Sequence, residues 1–127
     1  MFKHTRAFSG FSVDDIKKAE HFYGKILGLS YSEGYRQLHL HLVTGANIFI
    51  YPKPDHRPAS YTVLNFPVND IMRAMSELKT HGIHFESYNE PSLKTDEHGL
   101  YRSTSTGACL AWFKDPAGNL LSLVQER

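Results

Sequence analysis

One pattern is stated twice in this chain. FSVDDIKKAEHFYGKILGLSY begins at Phe11, and FPVNDIMRAMSELKTHGIHF begins at Phe66. Phe11, Val13, Asp15, Ile16 and Ala19 recur as Phe66, Val68, Asp70, Ile71 and Ala74, each 55 positions on. After a one-residue deletion, Gly28 and Tyr31 are answered by Gly82 and Phe85. A chain of 127 residues that repeats half its length builds one small unit twice. Whatever distinguishes the halves is then left to do the chemistry.

Each copy has a readable shape. Ala7-Phe8-Ser9-Gly10-Phe11 mixes apolar and small residues as a short strand does. Asp14 or Asp15 then caps a helix in which Ile16, Ala19, Phe22, Tyr23 and Ile26 recur at helical spacing, and Gly28 ends it. In the second copy Tyr61 to Val68 reads as a strand and Asn69 or Asp70 as the cap. Ile71, Ala74, Met75 and Leu78 form the apolar stripe, with Gly82 as the stop. Three extended segments are expected after each helix. These are Leu29–Ser32, Arg36–Val43 and Asn47–Tyr51, then His84–Tyr88, Leu100–Thr104 with Ala108–Lys114, and Asn119–Gln125. The expectation is an α+β fold of tandem βαβββ modules, about 5–51 and 59–125, joined through PKPDHRP within a single domain.

The net charge of +1 is spread without runs, which points away from nucleic acid and anionic membrane surfaces as partners. No apolar run approaches the length of a spanning helix, and MFKHTRAFSGF lacks a secretory apolar segment. The single cysteine, Cys109, has no partner for an internal disulfide and reads as a small buried apolar residue. A cytoplasmic location is the expectation. Aromatic residues make up 13% of the chain, and they must fill a core or line a pocket.

Strand alternation separates those two fates. In Leu38-His39-Leu40-His41-Leu42 the leucines share one face and the histidines the other. In Asn47-Ile48-Phe49-Ile50-Tyr51 the isoleucines go beneath the helix and Phe49 and Tyr51 to the opposite side. Leu110 and Trp112 share one face, and Cys109, Ala111 and Phe113 the other. The face away from the helices thus collects His39, His41, Phe49, Tyr51, Tyr61 and Trp112. Aromatic walls with a few polar groups suit a concave site for a small organic ligand. The polar segment Glu90–Gly99 reads as a long connector or lid, and Arg102 after it is a candidate for an anionic ligand at the rim. His4, His21, His56, His81, His84 and His98 read as solvated surface.

FSVDDIKKAEHFYGKILGLSY, the second FPVNDIMRA and the closing FKDPAGNLLSLVQ resemble the vicinal oxygen chelate superfamily. That group holds glyoxalase I, extradiol dioxygenases, fosfomycin-resistance transferases and bleomycin-resistance proteins. The resemblance spans essentially the whole chain and implies two βαβββ modules in a cupped mixed sheet, helices on the convex side, commonly completed by homodimerisation. It also implies a divalent metal held by His and Glu at one position on each of four strands. Carried onto this sequence, those positions are Phe8, Phe49, Val63 and Ser122. None is an imidazole or a carboxylate, and a slip of one residue either way is no better. The expectation is a protein without the family's metal and with no other cofactor, and no catalytic residue is identified.

Two readings stand side by side. One is a metal-free module holding a flat, hydrophobic or aromatic molecule against Phe49, Tyr51, Tyr61 and Trp112, with His39, His41 and Arg102 as polar contacts. The other is a lyase, isomerase or dioxygenase in which His39 and His41, about 7 Å apart along one strand face, replace the lost ligands. Asp14, Asp15 and Asp70 are better explained as caps, and Asp115 as part of the Asp115-Pro116-Ala117-Gly118 turn.

Overall fold

The structure, a computed structural model, describes residues 1–126. The chain divides into two compact units, Met1–Pro58 and the portion from Ala59 onward. Among the described residues, no helix is long and apolar enough to cross a membrane.

In the first unit β1 (Ser9–Val13) leads into α1 (Ile16–Glu20), which runs on as a π-helical turn over His21–Ile26. Then come β2 (Ser30–Gly34), β3 (Gln37–His41) and β4 (Asn47–Pro52). The sheet order is β1-β4-β3-β2, with β1 parallel to β4 and the other pairs antiparallel. Asp15, not Asp14, is the cap: its carboxylate accepts from the amides of Lys17 and Lys18 at 3.0 and 3.2 Å. Gly28 ends the helical stretch at φ +72°, a conformation open to glycine at little cost.

The second unit repeats the plan. β5 (Thr62–Pro67) and α2 (Ile71–Thr80) are followed by the two-residue strands β6 (Asn89–Glu90), β7 (Leu93–Lys94) and β8 (Tyr101–Arg102). β9 (Cys109–Lys114) and β10 (Leu120–Gln125) complete it. The order β5-β10-β9-β8 copies the first sheet, including its one parallel pair, β5 with β10. Asp70 caps α2 through the Arg73 amide at 3.1 Å, and Gly82 ends it at φ +83°. Phe11 pairs with Ile50 and Phe66 with Leu123, so the repeated phenylalanines stand on corresponding strands.

The copies part company after the second helix. His84–Tyr88 does not form the expected strand; only Phe85 bridges to Phe113, and the Glu86 amide donates to the Trp112 carbonyl. The expected Leu100–Thr104 strand shrinks to β8. Between them β6 and β7 fold on themselves as a small hairpin, so Glu90–Gly99 is not wholly irregular. Asp96 accepts from the amides of His98 and Leu100 at 2.8 and 2.9 Å, and that turn leads the chain from the hairpin into β8.

In each unit a helix covers one sheet face. Val13, Leu38, Leu40, Ile48 and Ile50 are buried with Ala19, Phe22 and Tyr23, and α1 packs on β3 and β4. Leu64, Ala111, Phe113, Leu121 and Leu123 are buried with Ile71 and Met75 of α2, which packs on β9 and β10. Cys109 is buried on that same face, as a small apolar residue should be. Each fully buried Leu or Ile contributes about 1.5–3 kcal/mol relative to exposure, which fixes strand register strongly. The alternate residues are thereby committed to the open face.

Candidate functional site

Register decides what the first unit's open face carries. Gly10 pairs with Phe49, Ser12 with Tyr51, His39 with Phe49 and His41 with Asn47, and Ser32 stands beside His39. Phe49 is the centre of this face. Tyr51 stacks on it, centroids 5.4 Å apart and planes at 22°, His39 lies 5.3 Å away, and Phe8 meets it edge-on at 6.2 Å. Phe8, just ahead of β1, is 68% exposed. A Cβ on Gly10 would sit 2.9 Å from the Phe49 carbonyl oxygen, so glycine there lets β1 and β4 approach closely beside the ring. Beside these rings opens a cleft of about 420 Å³ lined by residues that include Arg6, Phe8, His39, Ala46, Asn47 and Phe49.

The histidines differ in kind. His41 has both ring nitrogens engaged: the Ser32 hydroxyl meets Nε2 at 2.8 Å and the Asn47 amide oxygen meets Nδ1 at 2.9 Å. The amide oxygen can only accept, so Nδ1 carries the proton and Nε2 accepts from the serine. His39 is half-buried between Phe49 and Gly34. His56 departs from its reading as solvated surface: it is half-buried, and its Nδ1 shares a 2.6 Å hydrogen bond with the Ser12 hydroxyl. Since Ser12 pairs with Tyr51, this polar pair borders the aromatic surface.

Among the described residues no carboxylate lines the cleft beside Phe49. Asp15 is the helix cap, and Asp55 is tied to Lys53 at 2.6 Å. Asp14 is exposed at the end of β1. Glu20 and Glu33 lie on the α1 side, around a cleft of about 220 Å³ that also holds Lys17 and Arg36. There the hydrogen bond from Glu33 pulls the Glu20 carboxyl down, and the same bond pushes Glu33 up. The Tyr31 hydroxyl also donates to Glu20, at 3.1 Å.

The second unit has its own aromatic group. Trp112 of β9 is flanked edge-on by Tyr88 at 5.4 Å and by Tyr101 at 6.0 Å. Ser122 pairs with Trp112 across β10 and donates its hydroxyl to the Asn65 side chain. Tyr61 lies before β5 begins and is 69% exposed. Arg102 pairs with Cys109 and so falls on the parity of the buried helix side, while Tyr101, paired with Leu110, takes the Trp112 face. Tyr88 lies in an irregular segment and Tyr101 on a two-residue edge strand, and neither carries a periodic signal in the sequence. Gly10 and Ser12 were legible in principle, from the alternation with Phe11 and Val13. Arg6 and His56 lie in irregular segments and carried no pattern at all.

A divalent metal of the kind the resemblance implies does not fit these residues. Phe8 and Phe49 in the first unit and Val63 in the second offer no donor, and the Ser122 hydroxyl is committed to Asn65. At His41 an ion would have to displace a serine or an asparagine from a ring nitrogen already bonded. Among the described residues no three His, Cys, Asp or Glu side chains are grouped to hold an ion.

The model of the Glyoxalase/Bleomycin resistance protein/Dioxygenase superfamily matches residues 2–123. Comparison with curated proteins finds no match. Among solved structures, a glyoxalase family protein from Enterococcus faecalis aligns with TM-score 0.72 at 22% identity, over 98% of this chain and 99% of that one. FosX, a fosfomycin resistance protein from Listeria monocytogenes, aligns with TM-score 0.72 at 13% identity, covering 95% and 92%. TnmS3, an antibiotic binding protein from Streptomyces sp. CB03234, aligns with TM-score 0.63 at 21% identity, covering 98% of each. At these identities the likeness is one of fold.

Proposed function

This chain belongs to the glyoxalase/bleomycin resistance protein/dioxygenase superfamily, and from that premise we propose that it is a metal-free binding protein for a small, flat organic molecule. The observation that carries the reading is the stacked pair Phe49–Tyr51, open beside a cleft and edged by Phe8 and His39. An aromatic surface left uncovered in a small domain is stabilised by a planar partner, at about 0.5–1.5 kcal/mol per ring pair beyond burial. His39 supplies a polar contact on the same face, His41 can do so only by giving up Ser32 or Asn47, and Trp112 offers a further aromatic surface in the second unit. The donor chemistry of Phe8, Phe49, Val63 and Ser122 supports the absence of a resident metal ion. That one structural neighbour is described as an antibiotic binding protein is compatible with a sequestering role. The protein is also proposed to act as a homodimer in the cytoplasm.

Calorimetric titration with planar aromatic compounds, alongside metal analysis of protein purified without chelator, tests this. Phe49→Ala is expected to weaken binding of such compounds at least tenfold, with the fold retained. Wild-type protein that binds none of them would refute the reading. A stoichiometric metal lost on His39→Ala would replace it with the enzymatic one.

A further inference from the structure

Resting on that reading, we infer that the ligand of the first unit's aromatic face is anionic, with Arg6 as its counter-charge. The cleft beside Phe49 is lined by Arg6 and His39 and by no Asp or Glu. Arg6 has no ion-pair or hydrogen-bond partner among the described residues, whereas Lys53 is paired with Asp55. Residues 1–58 hold eight Lys and Arg against five Asp and Glu, net +3, while the rest of the chain is net −2. Four of the five acids of this unit are engaged away from the cleft: Asp15 on the α1 cap, Glu20 and Glu33 on the helix side, Asp55 on its lysine; the fifth, Asp14, does not line it. Arg6 is therefore a charge that no carboxylate of the cleft lining offsets.

This arrangement selects by subtraction. A cation over Phe49 and Tyr51 would gain from the ring faces, but would have no carboxylate to meet and a guanidinium to oppose it. A neutral aromatic would use the rings and leave Arg6 to water. A planar molecule bearing a carboxylate, sulfonate or phosphate uses both, since guanidinium presents a flat fork of donors that matches such oxygens two at a time. The Asn47 side chain lines the same cleft, but its amide oxygen already holds His41. Arg6 is thus a specificity-determining residue: the rings set affinity and the arginine sets charge preference.

A matched pair of probes separates this inference from the reading beneath it. Titration of 2-naphthoate and 2-naphthamide into wild type is expected to show naphthoate bound about fivefold more tightly, the upper range for a partly exposed ion pair. Raising the salt concentration should erode that preference. Arg6→Gln should abolish it while leaving naphthamide within twofold of wild type, and Phe49→Ala should weaken both probes. If wild type binds the two equally, or Arg6→Gln keeps the preference, the anion assignment is wrong and the aromatic site stands. If neither probe binds, or Phe49→Ala changes nothing, both are overturned. That includes the case in which a second copy of the chain covers the face.

Discussion

Gly10 lets the β1 backbone pass close to Phe49. A Cβ there would sit 2.9 Å from the Phe49 carbonyl oxygen, a backbone atom that moves only with the β1–β4 spacing. Gly10→Ala is therefore expected to cost about 1–2 kcal/mol, read as a lower denaturation midpoint. An unchanged midpoint would mean the strand pair relaxes freely. A second single-residue prediction concerns Glu33, across the sheet. Its folded-state carboxyl is pushed up by the bond to Glu20, so its contribution is present below the ordinary carboxylate range and is lost as pH rises through the raised value. Glu20 is pulled down by the same bond, so its contribution holds above that range and is lost as pH falls through the lowered value. At neutral pH both are charged and face each other. Glu33→Gln keeps a donor for Glu20 and removes one charge, so it should be more stable than wild type at pH 7, the gap closing as pH falls through the raised Glu33 value. Identical denaturation curves at pH 7 would show that water screens the pair completely.

Elements were legible where two signals agreed. Asp15 and Gly28 bracket the first helical stretch and Asp70 and Gly82 the second, because caps and stops act locally and leave a mark in sequence. The π-helical turn at His21–Ile26 left none. Within it a Cβ on Gly24 would meet the Tyr31 ring at 2.4 Å, so glycine lets that ring lie against the turn. The edge of the second sheet misled. His84–Tyr88 has strand composition, but only Phe85 bridges to β9, and the chain forms the β6–β7 hairpin before it pairs with β9 again at β8. The turn from β9 to β10 was read correctly and is testable. Asp115 is buried and accepts from the amides of Ala117 and Asn119 at 2.9 and 2.8 Å and from the Asn119 side chain at 3.0 Å. Asp115→Ala leaves buried donors without those bonds, at about 2–4 kcal/mol. A loss below about 1 kcal/mol, measured by urea denaturation, would mean water replaces the carboxylate there.

At the scale of the molecule, the repeat foretold that one plan is used twice, and both sheets share one strand order with a single parallel pair. The net charge of each copy, +3 against −2, can be counted in the sequence, but which face each charge occupies is set by the fold. The proposal of self-association rests on the same sheets. β1 pairs only with β4 within its sheet and β5 only with β10, leaving one edge of each strand open to pairing. Neither strand carries a charged residue, the usual guard against edge-to-edge association, whereas β2 at the opposite edge carries Glu33. Large apolar side chains are exposed in both units, Phe8 and Val43 in the first and Tyr61 and Met72 in the second. Sedimentation at about 10 μM should accordingly give twice the 14.5 kDa of the chain. Lysine at Ser9 and at Thr62, one on each uncharged strand, should raise the dimer dissociation constant at least tenfold. A dimer indifferent to both would have to form through the exposed apolar side chains instead. A monomer at that concentration would sink the dimer proposal, and these strand edges would then be held apart by other means.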